Sequence, residues 1–271
     1  MIIAVFVPMS GAVSLVVLRN RIRRIERSAA VTSGVLPFGV AALDRALPNG
    51  GLALGAVHEI LGHGGDEEDC AAAAGFAAGV LARLGVGPVL WCLKRPDLYG
   101  PGLAAHGLDP ARIILAAAPR DDRILWAVEE GLRTGGGAGL AAVVGEVGRL
   151  PMVASRRLQL AAERSGVTAL LLRRWRSGDE AAVERNRPSA AMTRWRISSV
   201  PSAGIASESG GEPGIGHPHW RVELLRCRGG KPAAWEVEVA DATGHVCLPA
   251  ELADRPAAPH RAAGPSLRRA G

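Results

Sequence analysis

Apolar positions along the chain follow two alternating rhythms. Short, largely apolar runs recur at 56–61, 89–93, 113–115, 140–144 and 167–172, each the length of a buried strand, with His58 and Glu59 interrupting the first. Between them, apolar residues recur at helical spacing. Phe76, Val80, Leu81 and Leu84 share one face of a helix over 70–84, and a short helix lies near 98–106. Ile124, Leu125, Val128 and Leu132 share a face over 121–133, and Pro151 opens a helix over 151–164. Strands alternating with helices predict a mainly parallel sheet covered on both faces. The run from Ala141 to Val144 has no polar alternation and suits a central strand. The glycine-rich stretch from Thr134 to Gly139 reads as a flexible connector.

The rhythm changes after Trp175. Residues 176–190 are polar, Thr193 to Val200 is a strand, and 201–217 is a Ser/Gly/Glu/Pro loop. Trp220 to Arg226 and Ala234 to Val239 alternate apolar and polar residues, with a turn at Gly229 to Pro232 between them. This pattern predicts an antiparallel hairpin with one wet face at the sheet edge.

The expected organisation therefore has five segments: an apolar extension over 1–17, a basic helix over 18–30, a core over 31–175, C-terminal strands and polar loops over 176–250, and a disordered Pro/Ala/Arg-rich tail over 251–271. The first segment lacks a positive flank, is broken by Pro8, Ser10 and Gly11, and is short for a membrane span. The favoured reading places it upstream of the true translation start, near Val16 or Val17, so no membrane attachment is expected. In the basic helix, Leu18, Ile22 and Ile25 form one face and Arg19, Arg21, Arg23, Arg24 and Arg27 fill the rest.

Composition narrows the function classes. With 48% hydrophobic residues in 271, the chain can bury one substantial core. The net charge of +6 comes mostly from arginine, which permits nucleic-acid contact without demanding it. Cys70, Cys92, Cys227 and Cys247 have no zinc-knuckle spacing, so a reducing, cytoplasmic setting is expected. His58 and Glu59 do not continue into HExxH, and Gly135 to Gly137 lack the preceding strand of a dinucleotide fingerprint. His217, His219 and His245 with Cys227 or Cys247 match no known ligand spacing; neither metal nor cofactor is expected.

From Val31 to about Trp175 the chain resembles the RecA-type core, through Thr32-Ser33-Gly34, Gly39 to Asp44, Pro48-Asn49-Gly50-Gly51-Leu52 and Gly55 to Ile60. More specifically it resembles the ImuA family, RecA-like and SulA-like proteins of bacterial mutagenesis cassettes. The phrases that carry this are LPFGVAALDRALPNGGLALGAVHEI, RRLQLAAERSGVTALLLRRW, TRWRI with Pro201 and Ser202 following, and WRVELLRCRGGKPAAWEVEV. The resemblance implies an α/β, RecA-like, mainly parallel sheet with helices on both faces, extended by an antiparallel C-terminal hairpin.

A phosphate loop needs GxxxxGK[ST]: glycines for backbone N–H groups around the phosphates, lysine for the outer charge, and a hydroxyl for magnesium. The loop falls here on Gly62 to Asp69. Glu67 stands at the second glycine, Glu68 at the lysine and Asp69 at the hydroxyl position. A run of carboxylates at that point repels triphosphate; acids also suit a helix start, which is the purely structural explanation of the run. The magnesium-ordering aspartate expected after Val144 is replaced by Gly145, with Glu146 beside it. The chain is therefore read as a non-enzyme.

The resemblance implies an accessory role in SOS-induced translesion DNA synthesis, with an ImuB-like protein, an error-prone DnaE-type polymerase and RecA as partners. The rival reading is a SulA-like inhibitor of cell division that binds FtsZ. A third is direct DNA binding, within the complex or alone. Candidate partner or DNA contacts are the arginines of the basic helix, together with Arg156, Arg157, Arg173, Arg174, Trp175 and Arg176.

Overall fold

The computed structural model describes residues 34–64, 66–175, 177–201 and 218–248, with the first turn of the helix starting at Asp66 described by its backbone alone. The expected extension, basic helix, loop over 202–217 and tail lie outside the described residues, as does Arg176.

A small antiparallel pair, β1 (Val35–Leu36) and β2 (Leu52–Ala53), brackets α1 (Ala41–Ala46). The main chain path then runs through β3 (Val57–Gly62), α2 (Asp66–Ala82), β4 (Val89–Leu93), α3 (Gly100–Ala105), β5 (Ile113–Ala117), α4 (Asp121–Ala138), β6 (Ala142–Val147), α5 (Met152–Ser165) and β7 (Thr168–Arg173). It ends with α6 (Gly178–Glu184), β8 (Thr193–Val200), β9 (His219–Cys227) and β10 (Ala233–Glu238). The large sheet has eight strands in the order β10-β9-β8-β3-β7-β6-β4-β5. β8 through β5 are parallel, and β9 and β10 continue from β8 antiparallel. This is a mixed α/β fold: a central sheet with helices on both sides, extended by C-terminal strands.

Alternation along the strands separates two cores. On one face Ile60, Trp91, Val144 and Leu172 pack against Phe76, Ala77, Val80 and Leu81 of α2. On the other, Val57, Cys92, Val143 and Leu171 pack against Ile124, Val128 and Leu132 of α4 and Leu158 and Ala162 of α5. The C-terminal strands β8 and β9 join the first core through rings. Trp195 lies 5.7 Å from Phe76, and Trp220 lies 6.5 Å from Phe76 and 5.2 Å from His106. Such aromatic pairs contribute about 0.5–1.5 kcal/mol each beyond their area.

Two local expectations change. The stretch read as a flexible connector continues α4 as helix to Ala138, because its glycines permit close packing. A Cβ on Gly135 would come 2.9 Å from the Leu140 side chain, and one on Gly136 would come 2.9 Å from the Ser165 carbonyl oxygen. The polar stretch after Trp175 contains α6, whose start is capped by the Ser177 hydroxyl accepting the Glu180 N–H.

Candidate functional site

The carboxyl-terminal ends of β3, β4, β6 and β7 form one crest, where open α/β sheets place ligands. Beneath it lies a cavity of about 240 Å³. Gly62 and Gly64 lie at its rim, Ala71, Ala74 and Gly75 of α2 form one wall, and Tyr99, Gly102 and Leu103 form another. The small residues of α2 are required there: a Cβ on Gly75 would sit 2.7 Å from His106 Nε2. His106 Nδ1 is in turn 2.9 Å from the Ala240 carbonyl oxygen, which ties this wall to the chain beyond β10.

Polar groups meet at the floor. Glu146 accepts the indole N–H of Trp91 at 2.8 Å and an Arg174 Nη1–H at 2.7 Å. Arg174 also donates to both oxygens of Asp97, at 2.9 and 2.8 Å. Burial holds the Glu146 carboxyl above the ordinary carboxylate range, against the pull of Arg174 and Trp91. The hydrogen bond from Arg174 is the main influence that holds Asp97 below it. Gly145 faces the opposite way. A Cβ there would meet Val128 Cγ2 at 2.6 Å and Leu171 Cδ2 at 3.2 Å. Of the second-motif pair, Glu146 alone lines the cavity, and α4 packing leaves no room for a side chain at position 145.

The other face of the crest carries a second buried network. Glu59, on β3, accepts from Arg173 at 2.7 Å and from Arg194 at 3.0 Å, and also from the Ser189 hydroxyl. Arg173 further donates to the Gly148 carbonyl oxygen at 2.7 Å, which Trp175 Nε1 also reaches at 2.8 Å. Burial works to raise the Glu59 carboxyl, but the two guanidinium groups and Ser189 outweigh it and hold its pKa below the ordinary value. Below the same crest, Asp121 ties α4 to the β6–α5 loop, with Lys94 at 2.7 Å and the backbone N–H groups of Gly148 and Arg149 at 3.2 and 2.8 Å.

These placements sort the candidate contacts. Arg173 and Trp175 are 4% and 1% exposed, so both leave the set of surface contacts: one is consumed by Glu59, and the other packs beneath the crest with its N–H satisfied. Arg174 lies in the cavity, held by two carboxylates. Arg156 and Arg157 are exposed on α5. The backbone at Glu67, Glu68 and Asp69 lies in the first turn of α2, which starts at Asp66.

No signal in the sequence marks Arg194 or Asp97, and His58 enters there as a candidate only as part of an HExxH motif that it does not form. His58 is buried beside Thr193 on the neighbouring strand, with Nε2 donating to the Ala53 carbonyl oxygen at 2.8 Å. Nδ1 accepts from the Thr193 hydroxyl at 2.7 Å, and that hydroxyl accepts from Trp195 Nε1 at 2.7 Å. Burial pushes the His58 pKa down to about 4. The buried Cys92 thiol is pushed up to about 12, an inert core group. Among the described residues, the crest carboxylates Glu59, Asp97, Asp121 and Glu146 are each held by a cationic side chain, with an indole, a hydroxyl or backbone N–H groups adding to it at three of them.

No protein-family profile matches the chain. Two curated proteins do, both named Protein ImuA, from Caulobacter vibrioides strains NA1000 / CB15N and ATCC 19089 / CIP 103742 / CB 15. Each is 37% identical over 253 residues, which span 91% of this chain and 100% of the relative. Identity of that extent across core and hairpin together places the chain in the ImuA family.

Proposed function

We propose that this chain is a non-catalytic accessory protein of SOS-induced error-prone translesion DNA synthesis, working in the cytoplasm through contacts with an ImuB-like protein, RecA and an error-prone DnaE-type polymerase. One observation carries the non-catalytic part. Where a triphosphate would need free cations and N–H donors, the cavity offers Arg174 already neutralised by Asp97 and Glu146. The sequence adds Glu68 at the position where the phosphate-loop motif has lysine. The accessory part rests on family membership. The parallel sheet, with a glycine-bearing loop and a helix directly after β3, supports a RecA-like core that has kept its architecture and lost its nucleotide chemistry. No helix among the described residues is long and apolar enough to cross a membrane.

The test is co-purification of the full chain with the three partners from the same genome, alongside ATP titration and a phosphate-release assay. The expected result is a stable complex with at least one partner and phosphate release no faster than the buffer blank. Recovery of none of the three, in low and physiological salt, defeats the accessory reading. Saturable ATP turnover by the pure protein defeats the non-catalytic one.

A further inference from the structure

The outer surface where α4 and α5 lie side by side carries a groove of about 340 Å³, remote from the crest cavity in its lining. Leu160, Arg133, Arg157 and Arg164 line it, and the helix faces that continue from it carry further exposed apolar side chains. Along α5, Val153, Arg157, Leu160 and Arg164 recur at helical spacing and form one ridge. Along α4, Trp126 and Arg133 are seven residues apart and therefore share a face. Val153, Leu160 and Trp126 are 69%, 50% and 57% exposed. Exposed large apolar side chains interleaved with arginines are the composition of protein interfaces, where Trp and Arg are enriched among the residues that carry affinity.

The arginines are aimed before any partner arrives. Glu129 is buried at the groove floor and receives Arg133 at 3.1 Å and Arg157 Nε at 3.0 Å. Each guanidinium has five N–H donors and spends one or two on Glu129, so donors remain on side chains that are about 60% exposed. Held this way, they lose less freedom on meeting a second carboxylate. Arg164 adds a third cation at the far end.

We infer that this groove docks an acidic amphipathic segment of a protein partner. The inference rests on the accessory reading and names the surface through which that role is exercised. Apolar side chains of the segment cover Leu160 and Val153, and its carboxylates meet Arg133, Arg157 and Arg164. The arginines suit any anion, and the exposed apolar ridge selects this occupant over nucleic acid: a phosphodiester chain would leave Val153 and Leu160 covered by nothing apolar.

The test measures affinity of the full chain for the ImuB-like protein, RecA and the DnaE-type polymerase, and for a fluorescent single-stranded oligonucleotide. Wild type is compared with the double variant Leu160→Asp/Arg164→Glu, with the milder Leu160→Ser, and with Arg164→Lys. Melting curves confirm that each is folded, and Leu160→Ser carries the test if the double variant is not. The inference expects at least a ten-fold loss for one protein partner in the double variant, a smaller loss in Leu160→Ser, near-normal binding in Arg164→Lys, and unchanged oligonucleotide binding. Unchanged affinity for every partner that wild type binds overturns the groove and leaves the accessory role standing. Loss confined to the oligonucleotide overturns it in favour of a nucleic-acid surface. Failure of wild type to bind any of the three proteins removes the accessory role and the groove with it.

Discussion

Arg173 and Arg194 at the crest are 4% and 7% exposed and converge on one buried carboxylate, whereas Arg157 and Arg164 on α5 stand in solvent along a groove. The side chain is the same and the two uses are opposite. At the crest, each guanidinium was taken out of water against Glu59, so its charge is structural and unavailable to a partner. On α5, Arg157 spends two donors on the buried Glu129 but its side chain stays 56% exposed, and Arg164 is exposed beside it, so both keep donors for a partner's carboxylates. The number of arginines in a stretch therefore says little about binding; the strand or helix face they occupy decides it. Residues 156–157 and 173–174 both read as basic pairs, yet the first pair lies on an exposed helix and the second ends a central parallel strand.

The largest expected effect comes from breaking the buried side of that comparison. Glu59→Ala leaves Arg173 and Arg194 buried without their shared anion. Removing one partner of a buried ion pair costs about 3–5 kcal/mol, a large share of the stability of an ordinary domain. Urea unfolding should show a correspondingly earlier midpoint, or the variant should fail to accumulate. A loss below about 1 kcal/mol would mean that water reaches the crest and that the network is surface-like after all.

A second, slightly smaller effect is set by pH. His58 titrates at 6.5 when unfolded and at about 4 in the native protein, where burial keeps it neutral. The unfolded chain therefore binds the extra proton first as pH falls, and stability is lost between pH 6.5 and about 4. The full window is worth about 3 kcal/mol. Glu59 and Asp121, both held below their ordinary values, add their own losses only at lower pH, as each is protonated. Glu146 has the opposite sign: its raised pKa favours the folded state in acid and costs stability as pH rises through it. Unfolding of wild type and His58→Asn at pH 7 and pH 5.5 isolates the histidine. The variant starts less stable, because it cannot satisfy both Ala53 and Thr193 in the same way, but its stability should change less between the two values.

Much of the fold could be read from periodicity because most of the parallel strands, β4 to β7, are largely apolar runs and the helices between them keep one apolar face. The hairpin was equally readable, since its strands alternate and a Gly-Gly turn separates them. The network at the crest was not. Glu59 sits within an apolar run and pairs with residues 114 and 135 positions away, a proximity created by strand order rather than by any local pattern. The same holds for Asp97, 77 positions from Arg174. For the second motif, one signal was available: alternation along β6 puts Gly145 and Glu146 on opposite faces, so two neighbouring positions could not share one site. The helical continuation through Gly135 and Gly136 had no signal in propensity, because Leu140 and Ser165 pack where a Cβ would otherwise stand.

The smallest expected effect on stability lies on the exposed side and completes the comparison. Arg164 is exposed near the end of α5, and no neighbour depends on its charge for desolvation in the way that Glu59 depends on Arg173. Arg164→Glu places an acid in the last turn of a helix, where the negative end of the helix dipole disfavours it slightly. Surface changes of this kind stay within about 0.5 kcal/mol, so the urea midpoint should scarcely move. A marked shift would show that Arg164 is a member of the Glu129 cluster rather than a solvated cation at the groove mouth. It would also make the arginines of α5 structural in the same sense as those of the crest. An unchanged midpoint keeps the two regions distinct, and lets any loss of partner affinity in Arg164→Glu be assigned to the groove itself.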